Sequence, residues 1–170
     1  MRFCFAVLAA LIALPASAQD VPDPAYQVDR SSPQAVVQSL YNAINREEYL
    51  RAWSYYGANS HAQSNDTAAS ADYEAFKAGY KETKAVTLLT GEPTDEGAAG
   101  SSYYYLPVAI DAQNHDGTRA QFAGCFTLKL ALPTNQDAPP YAPMHIEEGK
   151  LEAVESKALD AVLPTDCTPE

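Results

Sequence analysis

The chain's imidazoles are His61, His115 and His145, and its thiols are Cys4, Cys125 and Cys167. His61 and His115 fall in polar stretches that read as a loop and a tight turn, where imidazoles are solvated. His145 would serve as a general acid or base if it faced inward near Asp111 or a tyrosine. Strand alternation puts it on the face opposite Met144 and Ile146, which predicts that it points out. Asp111 lies on the polar parity of its own stretch and reads as a surface residue. Glu147-Glu148 and Glu152/Glu155 are the right types for paired acid–base carboxylates or a cation. No glycine-punctuated aspartate loop accompanies them, so they read as solvated charges. No G-x-S-x-G, phosphate-binding loop, dinucleotide fingerprint or H-E-x-x-H occurs. No catalytic residue, metal ligand or cofactor is assigned.

Aromatic side chains are the stronger signal: eleven tyrosines, five phenylalanines and one tryptophan. Tyr41, Trp53, Tyr56 and Tyr80, with Tyr104, Phe122 and Phe126, form a candidate lining for a mostly apolar pocket whose hydroxyls would orient a small ligand. The alternative is that these rings fill a core, each hydroxyl reaching a partner or the surface.

The elements that must position these rings centre on residues 101–132. Tyr104, Leu106, Val108, Ile110 and Ala112 alternate with more polar residues, and so do Phe122, Gly124, Phe126, Leu128 and Leu130. Two strands, each burying one face, are predicted. Asn114-His115-Asp116-Gly117 supplies the hairpin turn. Pro107 lacks a ladder donor, which predicts an edge or a bulge there.

Before the hairpin, Ser32 is a good N-cap and Pro33 a good first residue for a helix to Asn45, with Val36, Val37, Leu40, Tyr41 and Ile44 on one face. A second helix is predicted over residues 47–56 and a third over 73–83, capped by Ser70 or Asp72. Residues 57–69 read as loop, including a common glycosylation pattern, Asn65-Asp66-Thr67. A short strand over 84–90 follows, then a glycine- and alanine-rich connector over 96–100. After a proline-rich loop over 133–143, a last strand over 144–154, bulged at Gly149, leads to a short helix over 156–163. Leu151, Val154, Ala158 and Val162 also keep a helical period.

The first eighteen residues predict a secretory signal peptide: Met1-Arg2, an apolar run from Phe3 to Leu14, and Ala16-Ser17-Ala18 as the cleavage site. No later apolar run is long enough for a membrane anchor. Residues 19–30 read as a mobile leader, and residues 31–167 as a single domain. Without its first eighteen residues, which hold Arg2 and no acid, the chain has ten basic and twenty-two acidic residues, a net charge of −12. Such a surface repels phosphate backbones and anionic headgroups, which argues against nucleic acid or a membrane as partner. In the periplasm or outside the cell, the two remaining cysteines, Cys125 and Cys167, predict one disulfide. Closing that loop stabilises the fold by roughly 4 kcal/mol. There is no C-x-x-C and no zinc-like histidine spacing.

Helices first, then a strand, a long hairpin and a last strand describe an α+β arrangement. On this order the chain resembles the nuclear transport factor 2-like superfamily. The resemblance is carried by residues 33–44 and 49–56, by Phe76-x-x-Gly79-Tyr80-x-x-Thr83, by residues 104–110, and by Phe122-x-Gly124-Cys125-Phe126-x-Leu128. It implies a cone-shaped fold of about three N-terminal helices on a curved antiparallel sheet of about four strands. The superfamily includes ketosteroid isomerases, dehydratases, polyketide cyclases, transport factors and exported proteins without an assigned activity, so fold alone does not choose among them. Its isomerase-like members hold a carboxylate base and an acidic hydrogen-bond donor inside the cone, a pair that no residues here match. Three expectations follow. One is a binding domain for a small apolar or aromatic molecule, or a partner, at the cone's mouth. Another is a cofactor-free isomerase or dehydratase using an inward carboxylate or histidine. The third is a structural or interaction domain with a filled cone, for which a homodimer through the sheet is one option.

Overall fold

The computed structural model describes residues 24–57 and 67–167. The predicted signal peptide, the first part of the predicted leader, Cys4 and His61 lie outside the described residues, as does most of the Asn65-Asp66-Thr67 pattern.

Helix α1 spans Pro33–Asn45. It starts where the sequence requires: the Ser32 hydroxyl accepts from the Ala35 N–H at 3.1 Å, and Pro33 needs no donor in the first turn. Val36, Val37, Leu40, Tyr41 and Ile44, its apolar stripe, are all at most 3% exposed. The end of the leader lies along this helix. Gln27 and Asp29 donate their N–H groups to Asn42 and Ser39, and Arg46 and Arg51 donate to the carbonyls of Pro24 and Gln27.

Helix α2 is only Tyr49–Trp53, shorter than predicted. The next residues leave the helix because the last strand takes their backbone groups. Ile146 donates to the Tyr55 carbonyl at 2.8 Å, and Gly57 donates to the Ile146 carbonyl at 2.9 Å. Helix α3 runs Thr67–Gly79, so it begins and ends earlier than predicted. Tyr80 to Thr83 then make a turn into β1, Thr83–Thr90.

The sheet is antiparallel and has five strands rather than about four. The addition is β2, Thr94–Ala98, which overlaps the segment over 96–100 read as a connector. It is exposed throughout, has no apolar alternation, and is a strand only because it pairs with the start of β3, Ser101–Asn114. Ala99 and Gly100 join them, both at positive φ (47° and 77°), the backbone that a two-residue hairpin demands. β4 is Arg119–Ala131 and β5 is His145–Val154. The order is β1-β3-β4-β5, with β2 beside β1 on the same edge of β3.

Pro107 sits inside β3, yet the ladder survives. β1 pairs with β3 as far as Val108, and β2 takes over at Tyr105. Pro107 lies between, its carbonyl accepting from Gly91, so its missing N–H falls where β3 changes partner. The last strand is bulged, but at Glu147: Thr127 pairs with Glu148 and Leu128 with Ile146, leaving one residue over.

The two faces of the hairpin differ as predicted in direction, though both are covered. Leu106, Val108 and Phe126, with Leu128 and Ile146, pack under the helices in one apolar core. The opposite face carries Tyr105, Ala109, Asp111, Gln121 and Ala123, all at most 9% exposed. Helix α4, Leu159–Val162, packs there against β3, and Cys167 behind it is joined to Cys125 of β4. Lys157 N–H donates to the Gln121 side chain at 2.8 Å, fixing the start of this C-terminal strap.

Candidate ligand cleft

Between α3 and the inner face of the sheet is a cleft of about 600 Å³. Tyr41 enters it from α1, Phe76 and Tyr80 from α3 and the turn after it, and Phe122 from β4. Aliphatic walls come from Val86, Ile110 and Leu151. Of the seven aromatic residues predicted as lining, Tyr41, Tyr80 and Phe122 therefore meet at one cavity.

The other four stand elsewhere. Trp53 and Tyr56 form a layer behind the cleft: their ring centroids lie 5.0 and 5.7 Å from that of Phe76. Phe126 belongs to the core and does not line the cavity; it is edge-on to Tyr41 at 6.5 Å and 2% exposed. Tyr104 packs against the core without reaching the cavity. Sequence reasoning missed Phe76, although its spacing from Tyr80 is the i, i+4 relation that stacks side chains on a helix; the two rings are 5.1 Å apart. The aliphatic wall was legible only as core.

The cleft's polar feature is a group of phenols. The Tyr41 hydroxyl donates to that of Tyr80. Burial raises the Tyr41 pKa well above its ordinary value, the neighbouring Tyr80 and Tyr56 hydroxyls raise it further, and the hydrogen bond it donates adds to this. Burial also raises Tyr56 and Tyr80; for Tyr80 the bond received from Tyr41 works against the shift. All three stay neutral near physiological pH, so they donate and accept hydrogen bonds and do not act as bases. Glu82, at the rim, has a side chain 77% exposed. Among the described residues no other carboxylate and no imidazole lines the cleft.

The ionisable candidates from the sequence lie outside it. His145 is on the face opposite Met144 and Ile146, as alternation predicts, but it is largely covered, with 16% of its side chain exposed. Its Nδ1 is 2.8 Å from the Pro143 carbonyl and its Nε2 is 3.1 Å from Glu147 Oε1. Asp111 is a correction: it is buried, on the outer face of the sheet. Arg119 grips both its oxygens at 3.0 and 2.7 Å, and Gln121 donates a third bond. These bonds satisfy the carboxylate, and the C-terminal strap covers its face. Arg119 is the main cause that lowers its pKa. The glutamate pairs do not converge: Glu147 turns to His145 and Lys129, while Glu148 pairs with Lys150 and Glu155 with Lys157. His115 is in the exposed hairpin turn.

The cleft can thus hold a small apolar body against aromatic and aliphatic walls and offer it one hydrogen-bonding point, the Tyr41–Tyr80 pair. No protein-family model matches the chain and no curated protein matches its sequence, so the site rests on this geometry alone.

Proposed function

We propose that the protein is an exported, nuclear transport factor 2-like domain whose cleft binds a small, mainly apolar or aromatic molecule carrying one hydrogen-bonding group. The observation that carries this reading is the neutral Tyr41–Tyr80 hydroxyl pair at a cavity of about 600 Å³ with apolar walls, a size in the range of small-molecule sites. The element order and the helices on one face of the antiparallel sheet support the family reading. The N-terminal sequence pattern and the Cys125–Cys167 bond support export. The isomerase or dehydratase alternative needs a base beside the reacting carbon. A neutral phenol pair supplies a hydrogen-bond donor but no base, so binding is the better account. Dimerisation through the sheet is the weaker account, because the C-terminal strap occupies the outer face over β3 and β4.

The test uses Trp53, the chain's one tryptophan, whose ring packs at a tilt against Phe76 of the cleft wall. The purified exported protein is titrated with N-phenyl-1-naphthylamine, an uncharged aromatic probe, and native mass spectrometry looks for a co-purified small molecule. Saturable change in Trp53 emission is expected, abolished by Ala112→Phe, which fills the cleft from β3. No saturable change, or binding that Ala112→Phe leaves intact, overturns the reading.

A further inference from the structure

A second, smaller cleft of about 360 Å³ lies on the other side of Tyr56, between the leader, the ends of β4 and β5, and the proline-rich loop. Its charged lining is Arg30, Lys129, His145 and Glu147. Apart from the imidazole, that is two cations against one carboxylate, a local positive surplus in a chain whose formal net charge is −11. Lys129 shares Glu147 with His145: Lys129 Nζ is 3.5 Å and His145 Nε2 3.1 Å from the same oxygen.

Arg30 is the unusual member. It is half-buried, and among the described residues no carboxylate pairs with it, although the chain has twenty-two acidic residues. It donates to the carbonyls of Met144 and Ser54 and to the Ser54 hydroxyl, and its guanidinium lies 4.3 Å above the centre of the Tyr55 ring. Those three bonds leave two of a guanidinium's five N–H donors without an acceptor among the described residues. A desolvated cation is costly unless it is paired, and dipoles and a ring face compensate only in part. The remaining walls, Tyr56, Pro140, Tyr141 and Pro143, are aromatic or apolar. Tyr141 is 73% exposed, so its ring is presented to solvent at the mouth.

We propose that this cleft is a separate binding site for a small organic carboxylate with an aromatic or apolar body. Arg30 and Lys129 hold the carboxylate, and Tyr141 and the prolines cover the body. A single positive surplus suits a monoanion, and the guanidinium fork suits a planar carboxylate. Because the chain as a whole repels anions, recognition here depends on close contacts and not on long-range steering.

The test is an NMR titration of the isotope-labelled protein with benzoate, and in parallel with benzamide, its uncharged near-isostere. Benzoate is expected to shift the amide signals of Tyr141, Ile146 and Glu147 saturably, and benzamide to leave them in place. Lys129→Gln is expected to weaken benzoate about tenfold, the loss of one charge-assisted contact. Glu147→Gln removes the opposing carboxylate and is expected to tighten benzoate severalfold, a gain that misfolding does not produce. The proposal fails if benzamide and benzoate bind alike. It also fails if the shifts fall on Phe122 and Leu151 of the first cleft, or if Glu147→Gln leaves benzoate affinity unchanged or lower.

Discussion

The ring of Phe126 occupies the space that a side chain at position 149 would need: a Cβ built on Gly149 would stand 2.5 Å from Phe126 Cε1. The two residues are cross-strand partners on β4 and β5. The glycine therefore serves the packing of an inward aromatic, while the strand's bulge lies two residues earlier at Glu147. Gly149→Ala is expected to destabilise the protein by about 1–3 kcal/mol through overpacking. In a Phe126→Leu background the ring is gone and most of that cost should vanish, giving a coupling of about 1 kcal/mol or more in a double-mutant cycle read by chemical denaturation. Additive costs would show that the contact is relieved some other way.

The difference between the bulge predicted and the bulge found shows what local sequence carries. Helix α1 was legible because Ser32-Pro33 and a five-residue apolar stripe state its start, face and length together. The hairpin was legible because alternation and Asn114–Gly117 agree. Strand β2 was not, since Thr94–Ala98 has no pattern of its own and exists as a strand through Tyr105 and its neighbours on β3. Asp111 misled because parity tells which face a residue is on, not what covers that face. The cover is a segment more than forty residues later, and its link to the sheet is the Cys125–Cys167 bond, 42 residues apart in the chain. The cleft was half legible: residue type marked the aromatics, but which rings converge depends on where α3 ends, at Gly79.

That strap gives a second prediction. Replacing both Cys125 and Cys167 by alanine should cost about 2–4 kcal/mol, because the loop they close is no longer constrained in the unfolded chain. The loss should be uneven in the native state. Hydrogen exchange should quicken at Lys157, whose N–H bonds Gln121 across the sheet face, and in α4. Protection in α1 and the probe affinity of the inner cleft should stay close to those of the parent. Loss of cleft binding in the double variant would mean that the strap shapes the inner face as well.

Acid should test the outer face. Arg119 first, and Gln121 as well, hold the Asp111 pKa below its ordinary 3.8 despite the cost of burial. A carboxylate with a depressed folded pKa stabilises the fold fully above its unfolded pKa, and that share is lost as pH falls through the folded value. Asp111→Asn should therefore cost about 1 kcal/mol near neutrality, as for a partly exposed ion pair. It should also flatten the decline in stability below pH 3.8. Parent and variant curves running parallel through that range would remove Asp111 as a contributor to acid unfolding.

At the alkaline end the sign reverses and the inner cleft is tested. Tyr41, Tyr56 and Tyr80 all have pKa values raised above the ordinary 10.0, chiefly by burial. In the unfolded chain each ionises near 10.0, whereas in the fold each stays neutral to higher pH. Their stabilising share is thus complete below the unfolded pKa and drains away as pH rises above it. Tyr41→Phe separates two effects. Near neutrality it should cost about 1 kcal/mol, since Tyr80 loses the hydrogen bond donated to it. Above pH 10.0 the variant has one fewer phenol to ionise on unfolding, so its stability should fall less steeply and the two curves should converge. Denaturation midpoints measured across that range, with phenolate absorbance recorded on the folded protein, provide the check. A constant gap between the curves, or early native-state phenolate absorbance that is smaller in Tyr41→Phe than in the parent, would mean that Tyr41 ionises at its ordinary pH within the fold and would remove the neutral pair on which the cleft's hydrogen-bonding point depends.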